Sequence, residues 1–240
     1  WNPDESGWGV TLTHHHDKVF AVWYIYDDAG KPLWVFMSDG AFSHGGRTFS
    51  GDVHRTSGPS YRDANFTWSR VKVERVGTAR IDFAEDDVSA AITYSVSGTT
   101  ITKAVSRQPF GSAPANAPHD LSDLWWNPDE SGWGLTLNHH GDNIFGVWYT
   151  YDTNQKPLWI VMPGGTFNGN TFSGKLYTTT GSPIGKPFVA ANTKLTEVGV
   201  ATIVFEGAKA RFTTTVNGFS QTKTISRQPF GTPIANAPPA

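Results

Sequence analysis

Two copies of one module make up the chain, and this duplication constrains the fold more than any other feature. The 37 residues that begin at Trp1 return from Trp126 with 25 identities, and the match resumes downstream in the strings TFSG, VG and SRQPFG. The period near 125 residues is far longer than a solenoid unit, so each copy is expected to be a complete domain. The predicted domains are residues 1–111 and 125–240, and each is expected to fold without the other.

The predicted linker, residues 112–124, begins with a Pro/Ala-rich string that recurs at the end of the second copy. Because Pro fixes φ and cannot donate to a β-ladder, this segment is expected to be semi-extended. Its recurrence fits a module cut from a longer array with further domains, and it fits a natural terminus equally well.

Within each copy, alternation with a period of two is typical of β-strands. In the first copy, strands are predicted at residues 8–13, 19–26, 33–37, 48–53, 76–83, 91–96 and 100–107. Short polar turns separate them, and 25 Gly and 15 Pro in the chain break any long helical period. We therefore predict an all-β protein of two tandem seven- to eight-stranded antiparallel up-and-down β-barrels, with a β-sandwich as the alternative.

The distribution of charge argues against two classes of partner. The first half of the chain has 11 basic and 14 acidic residues, and the second half has 8 and 7. Neither half has the positive surplus that nucleic acids and anionic membranes select. No apolar run approaches the length of about 18 residues that spans a bilayer, so no membrane insertion is expected. The absence of Cys removes disulfides, thiolate metal sites and a Cys nucleophile.

The string WNPDESGWG, repeated without a change, is the first candidate binding element. Its glycines permit close approach of another surface, its Trp rings can stack on a ligand, and its Glu can bind hydroxyl groups. Eight of the ten Trp lie at equivalent positions of the two copies, which is more than a small core requires. The predicted ligand rim combines these residues with one Arg per copy: Trp1, Glu5, Trp8, Trp23, Trp34, Arg107, Trp126, Glu130, Trp133, Trp148, Trp159 and Arg227.

A structural interpretation of the same residues stays open. The Trp rings can fill or plug the barrels, and Glu5 can serve the turn that contains it. On the last strand, Lys103 and Arg107 share a face with aliphatic residues, which requires solvent, a wet cavity or a paired carboxylate. We predict that Glu5 pairs with Arg107. In the second copy, Glu130 is expected to pair with Arg227 in the same way.

Three consecutive His residues at positions 14–16 look like a metal cluster at first sight. Neighbouring side chains on a strand point to opposite faces, so only His14 and His16 could chelate together. The second copy has Gly141 in place of the latter. We therefore predict a polar hairpin tip with His15 and His140 exposed, no metal site and no cofactor.

An enzyme is the less favoured interpretation, and the sequence leaves it open. No G-x-S-x-G, P-loop, HExxH or dinucleotide-binding motif is present. A glycosidase requires two carboxylates roughly 5–9.5 Å apart. The pairs to test are Glu5 with Asp27 in the first copy and Glu130 with Asp152 in the second.

The strings WNPDESGWG, KPLW and SRQPF together resemble a tandem WNPxESGWG repeat module of secreted or surface proteins of proteobacteria. The resemblance covers nearly all of both copies and implies a secreted or cell-surface setting, but it supplies no catalytic or binding residues. A looser similarity to lipocalin- and avidin-type barrels concerns the fold alone.

We thus expect an extracellular, non-catalytic module that binds a carbohydrate or another hydroxylated ligand at its aromatic rim. A carrier that holds a small apolar ligand inside the barrel is one alternative, and a glycoside-active enzyme is another. Duplication suits binding, because two weak sites on one chain gain avidity.

Overall fold

A computed structural model describes residues 1–96, 98–109 and 120–231, which form two antiparallel sheets, one for each module. The strands of the first module are β1 (Gly9–His15), β2 (Lys18–Tyr26), β3 (Pro32–Met37), β4 (Ala41–Ser43), β5 (Thr48–Ser57), β6 (Lys72–Phe83), β7 (Ser89–Val96) and β8 (Thr99–Ser106). The strands of the second module are β9 (Asp123–Trp126), β10 (Gly134–His140), β11 (Asn143–Tyr151), β12 (Pro157–Met162), β13 (Thr166–Asn168), β14 (Thr171–Thr180), β15 (Lys194–Glu206), β16 (Lys209–Val216) and β17 (Phe219–Arg227). Short 3₁₀ helices lie in the connections, at His44–Gly46, Trp68–Arg70, Pro128–Glu130 and Ala190–Asn192.

The second module is a closed up-and-down barrel. Consecutive strands pair around it, β12 pairs with β14, and β9 lies between β10 and β17. The short strand β13 pairs only with β14 in the described part of the sheet. This arrangement confirms the all-β, antiparallel barrel architecture predicted from the alternation of apolar residues.

The first module has the same strand order but stays open. Its sheet runs β1-β2-β3-β5-β6-β7-β8, and no strand of the described residues joins β1 to β8. The described strands of this module form a half-barrel of the predicted all-β, antiparallel type, and Trp1 is the counterpart of Trp126, the last residue of β9. In the second module the closing strand β9 begins at Asp123, inside the segment assigned to the linker. Residues 112–119 of that segment lie outside the described residues.

The central strands are buried on both faces, which explains why they read as apolar runs. In β2, all residues from Ala21 to Tyr26 are buried. Trp23 faces the interior of its own barrel, while its neighbours Tyr24 and Tyr26 belong to a core shared with the second module. Alternation along one strand thus builds two different cores.

A pseudo-twofold arrangement joins the two modules through this shared core. Nε1 of Trp34 in β3 donates to the carbonyl oxygen of Thr150 at 3.0 Å. Nε1 of Trp159 in β12 donates to the carbonyl oxygen of Ile25 at 2.9 Å. Each indole, two residues after the repeated string KP, thus crosses to the other module. The shared core comes from sheet faces and needs no contribution from the linker.

Each module also sends one loop across to the other. In the loop of residues 58–71, the amide of Tyr61 donates to the carbonyl oxygen of Tyr151 at 3.0 Å. In the loop of residues 181–193, the amide of Ile184 donates to the carbonyl oxygen of Tyr26 at 3.1 Å. The exchanged loops cover the ends of the partner barrels and extend the contact between the modules.

Tyrosine hydroxyls line the shared core and are held in it as neutral groups. Burial raises the pKa of Tyr26 to about 12, against a smaller opposing effect of its hydrogen bond with Thr179. Burial also raises the pKa values of Tyr24, Tyr149 and Tyr151. Ionised phenols are therefore excluded from this core at neutral pH.

Candidate ligand-binding cleft

The repeated WNPDESGWG strings cap one end of each barrel. In the first module, Oε2 of Glu5 accepts a hydrogen bond from Nε1 of Trp8 at 3.0 Å. The same carboxylate binds Nζ of Lys103 at 2.6 and 2.7 Å. Glu130 bridges its own Trp and Lys in the same way, at 3.1 and 2.6 Å. The cavities beneath the two caps measure about 40 and 10 Å³, which is too small for a sugar ring.

The predicted pairing of these Glu residues with Arg is wrong. Arg107 lies four residues beyond Lys103, or roughly 13 Å along the strand, and so is far from the cap. In the second module, Arg227 binds Oδ2 of the buried Asp123 at 2.8 Å. The exposed side chain of Arg107 has no ionic or hydrogen-bonding partner within residues 1–96, 98–109 and 120–231.

Most of the predicted rim Trp residues are packing residues. Trp23 and Trp148 lie inside their own barrels, whereas Trp34 and Trp159 lie in the shared core. The others are the buried Trp133 and the half-buried Trp1, Trp8 and Trp126. The sequence-predicted rim therefore does not present a continuous indole surface.

The carboxylates proposed as catalytic pairs have structural roles. Oδ1 of Asp27 accepts hydrogen bonds from the amides of Ala29 and Lys31, each at 2.9 Å, and closes its own turn. Asp152 closes the equivalent turn of the second module. Glu5 and Glu130 are held by the caps described above.

The His side chains of the hairpin tip contact other groups of the same chain. Nε2 of His14 lies 2.9 Å from the carbonyl oxygen of His16. Nε2 of His15 lies 3.0 Å from Oδ1 of Asp123, and its ring stacks on Phe230. His15 and its counterpart at position 140 are half-buried, so the expectation that both are exposed is wrong. Among the described residues, no group of three His, Asp or Glu side chains is placed to hold a metal ion.

A large aromatic cleft lies between the modules and is the best candidate binding site. Its volume is about 460 Å³, within the range of about 300–1,000 Å³ typical of ligand pockets. Its lining includes Phe20, Trp34, Phe36, Trp68, Trp126 and Trp133. None of the described residues that line it is charged. We call this site the aromatic cleft.

Trp68 forms the outermost part of the aromatic cleft and is 68% exposed. It starts the short helix Trp68–Arg70, whose last residue binds Oδ2 of Asp63 at 2.6 Å. Val71 and Val73 continue the same wall. Trp126 and Trp133 line the cleft from the second module, and Ser38 and Gln228 add polar groups to the lining. The cleft thus offers aromatic faces with a few hydrogen-bonding groups.

On the other side of the pseudo-twofold axis, the described residues contain no counterpart of the exposed indole of Trp68. The helix equivalent to Trp68–Arg70 is Ala190–Asn192, so Ala190 replaces the exposed indole. The repeat pattern alone could not identify Trp68, because it is one of the two Trp that the duplication does not share. Its one signal in the sequence is the position of an apolar aromatic in a polar stretch.

A second, polar groove lies between the turns of the two modules, with a volume of about 1,350 Å³. Its lining includes Asp27, Arg55, Glu74 and Asp152. Arg55 is already paired with Glu74 at 2.8 Å, and both Asp side chains close turns. These charged groups are engaged within the protein, so we favour the aromatic cleft.

In the described residues, no helix is long and apolar enough to cross a membrane. Comparisons with protein-family models, with curated proteins and with solved structures returned no match to the chain.

Proposed function

We propose that this protein is a non-catalytic binding protein that takes an uncharged ligand with flat apolar faces in the aromatic cleft. The observation that carries the proposal is the exposed indole of Trp68 in a cleft that Trp126 also lines and whose described lining residues are all uncharged. A monomeric surface rarely leaves a large indole in solvent beside further aromatic rings unless it contacts something. The absence of charge disfavours phosphorylated or carboxylated ligands, which select Arg or Lys.

Neutral carbohydrate is the leading ligand class. The C–H faces of sugar rings stack on indoles, and the few hydroxyl and amide groups of the cleft, including Ser38, Ser131 and Gln228, can orient ring hydroxyls. Of the residues first assigned to a rim, Trp34, Trp126 and Trp133 line this cleft. The caps are a poorer site, because the carboxylates of Glu5 and Glu130 are already bound to Lys and Trp.

A small apolar ligand is the second candidate, and the predominance of aromatic and aliphatic side chains in the cleft favours it. Such a ligand would lie between the modules, since Trp23, Phe49 and Ile81 are completely buried within the first barrel. Binding would then come mainly from buried apolar area, with little dependence on Ser38 or Gln228.

We also propose that the protein is secreted or lies at the cell surface. The resemblance of WNPDESGWG and SRQPF to a module of secreted or surface proteobacterial proteins supports an extracellular location. Because Ala190 replaces Trp68 at the equivalent position, we propose one ligand site per chain, and avidity would require further copies of the protein.

Titration of the chain with neutral oligosaccharides and hydrophobic dyes, followed by intrinsic fluorescence, tests the proposal. Trp68→Ala should abolish binding of the active class while leaving the free energy of unfolding within about 0.5 kcal/mol, as expected for an exposed residue. Leu195→Ala removes an exposed apolar side chain from the other module and is the matched control. It should leave binding unchanged.

If sugars bind and Trp68→Ala abolishes their binding, the carbohydrate class is supported. If dyes but no sugars bind in this way, the small apolar ligand is supported. Binding that survives Trp68→Ala and is lost with Trp8→Ala would place the ligand at the first cap and contradict the proposed cleft. In that case the original rim would regain its support.

A further inference from the structure

The side of the aromatic cleft that β2 and β3 form is elongated, and we call it the floor. Phe20 and Val22 of β2 line it, together with Trp34 and Phe36 of β3 and Ser38 just after that strand. Trp34 and Ser38 are four residues apart, which corresponds to roughly 13 Å along an extended chain. The floor is therefore longer than a single sugar ring.

Trp68 lies at the end of the floor that Trp34 marks. In the register of the sheet, Thr56 of β5 lies beside Trp34, and Val73 of β6 pairs with Thr56. Because β6 runs from the Trp34 side of the sheet toward the Phe36 side, the residues that precede β6 lie beyond Trp34. The short helix that begins with Trp68 directly precedes this strand.

Phe230 lies at the opposite end of the floor. Its ring contacts the ring of Phe20 edge-on, with 5.9 Å between the ring centroids. Phe20 is next to Ala21, whose partner in β3 is Met37, the residue before Ser38. Phe230 is half-buried and lines the cleft. The cleft thus has a partly or largely exposed aromatic ring at each end.

His15 holds Phe230 in this position. The imidazole stacks on the phenyl ring, with 4.1 Å between the centroids and 12° between the planes. Nε2 of His15 lies 3.0 Å from Oδ1 of the buried Asp123, whose other carboxylate oxygen binds Arg227 at 2.8 Å. Gly231 has a φ of +78°, and a Cβ at this position would lie 2.5 Å from the carbonyl oxygen of His15. The ring of Phe230 is therefore fixed against the hairpin tip of the first module.

We propose that the aromatic cleft binds a linear chain of neutral sugars, with one sugar ring on Trp68, the first subsite, and a later ring on Phe230, the second subsite. His15 is the positioning residue of the second subsite. This inference rests on the proposed function and narrows its ligand class, because only an extended ligand reaches both rings. The described lining residues are all uncharged, which suits sugars without acidic substituents.

Calorimetric titration of the full chain with cello-, malto- and xylo-oligosaccharides of one to six units tests the proposal. For the series that binds, the affinity should rise roughly three- to tenfold when the chain reaches the second subsite, because one more aromatic ring is then stacked, and should level off beyond that length. Phe230→Ala should remove this gain and leave the affinity for the shortest bound oligomer unchanged. The short oligomer thus controls for the folding of the variant.

The role of His15 has its own variants. His15→Ala should remove the gain with chain length, because Phe230 loses the ring on which it stacks. His15→Phe keeps an aromatic ring there and should restore most of the gain. His14→Ala is the matched control, since the neighbouring His14 is exposed and its Nε2 contacts the carbonyl oxygen of His16. It should leave the length dependence unchanged.

The possible results separate this inference from the function on which it rests. Equal affinity for all lengths that bind, or a length dependence that survives Phe230→Ala, would overturn the extended ligand and leave the proposed function standing. A gain that is lost with Phe230→Ala and kept with His15→Ala would overturn the role of His15. If no oligosaccharide of any length binds, the carbohydrate class fails and this inference fails with it.

Discussion

The two modules begin with 25 identities in 37 residues, and their described strands form a half-barrel in the first module and a closed barrel in the second. The second sheet contains all of β9 (Asp123–Trp126), whereas the described first module contains the counterpart of its last residue alone, Trp1, which pairs with Ser106 as Trp126 pairs with Ser226. As a result, identical residues have different environments: Arg227 binds a buried Asp, whereas Arg107 is exposed. The comparison teaches that the role of a repeated residue depends on the strand beside it as much as on its own sequence.

A second difference concerns function. The pseudo-twofold axis relates the shared core well, with Trp34 and Trp159 making reciprocal hydrogen bonds. It fails at the surface, where Trp68 lines a cleft and Ala190 stands at the equivalent position. The two copies thus share the Trp residues that hold the modules together, whereas the candidate binding residue, Trp68, occurs in the first copy alone.

Separating the modules should give the largest effect. Residues 120–240 contain a closed barrel and should unfold cooperatively on their own. Residues 1–119 should fail to fold or should aggregate, because their described strands form a half-barrel and separation uncovers the aromatic face of β2 and β3. Near-ultraviolet circular dichroism of the two halves checks this. If both halves fold, the original expectation of independent domains holds and the shared core is dispensable.

The second-largest effect is expected from alkaline pH, which should destabilise the whole shared core. The raised pKa of Tyr26, about 12, means that its contribution to stability is present below the unfolded value of 10.0 and is lost as the pH rises toward 12. Tyr24, Tyr149 and Tyr151 add to the loss in the same direction. Tyrosinate absorbance should therefore rise together with unfolding. A gradual rise without unfolding would show that these phenols are accessible.

Trp34→Ala and Trp159→Ala test whether the two modules contribute equally to the shared core. Each removes a buried indole and its hydrogen bond across the modules, so each should lower the free energy of unfolding by about 3–5 kcal/mol. Denaturant titration should give similar losses for the two variants. A loss confined to one of them would show that the shared core is not reciprocal.

The Arg pair gives a smaller and unequal effect. Arg227→Met removes the guanidinium that binds the buried carboxylate of Asp123 and leaves His15 beside it. Because Arg227 is itself partly exposed, the loss should be about 2–3 kcal/mol, below that of a fully buried pair. Arg107→Met should change stability by less than about 0.5 kcal/mol. Equal losses would contradict the different environments of the two Arg side chains in the described residues.

Local pattern was enough to predict the longer strands and their antiparallel arrangement, because alternation in stretches such as residues 19–26 reports directly on the β pleat. It missed the short strands β4 and β9, and β9 lies within the segment predicted to be a linker. Pattern could not assign the outward face of β2, since a strand buried on both sides looks the same whether it packs on a helix, a sheet or a second module. Sequence alone could not decide whether Lys103 or Arg107 pairs with Glu5. Both lie on the same face of one strand, and which of them lies beside the cap depends on how that strand is placed in the fold. Trp68 was missed because its neighbours come from both modules.

The indole N–H resonances of isotope-labelled protein, recorded during titration with whichever sugars or dyes bind, test the aromatic cleft most directly. We predict that the resonances of Trp68 and Trp126 shift together, that those of Trp8 and Trp159 stay unchanged, and that the titration saturates at one ligand per chain. Shifts at Trp1 and Trp8 with a stationary Trp68, or two equal sites per chain, would contradict the account and return the binding site to the repeated caps.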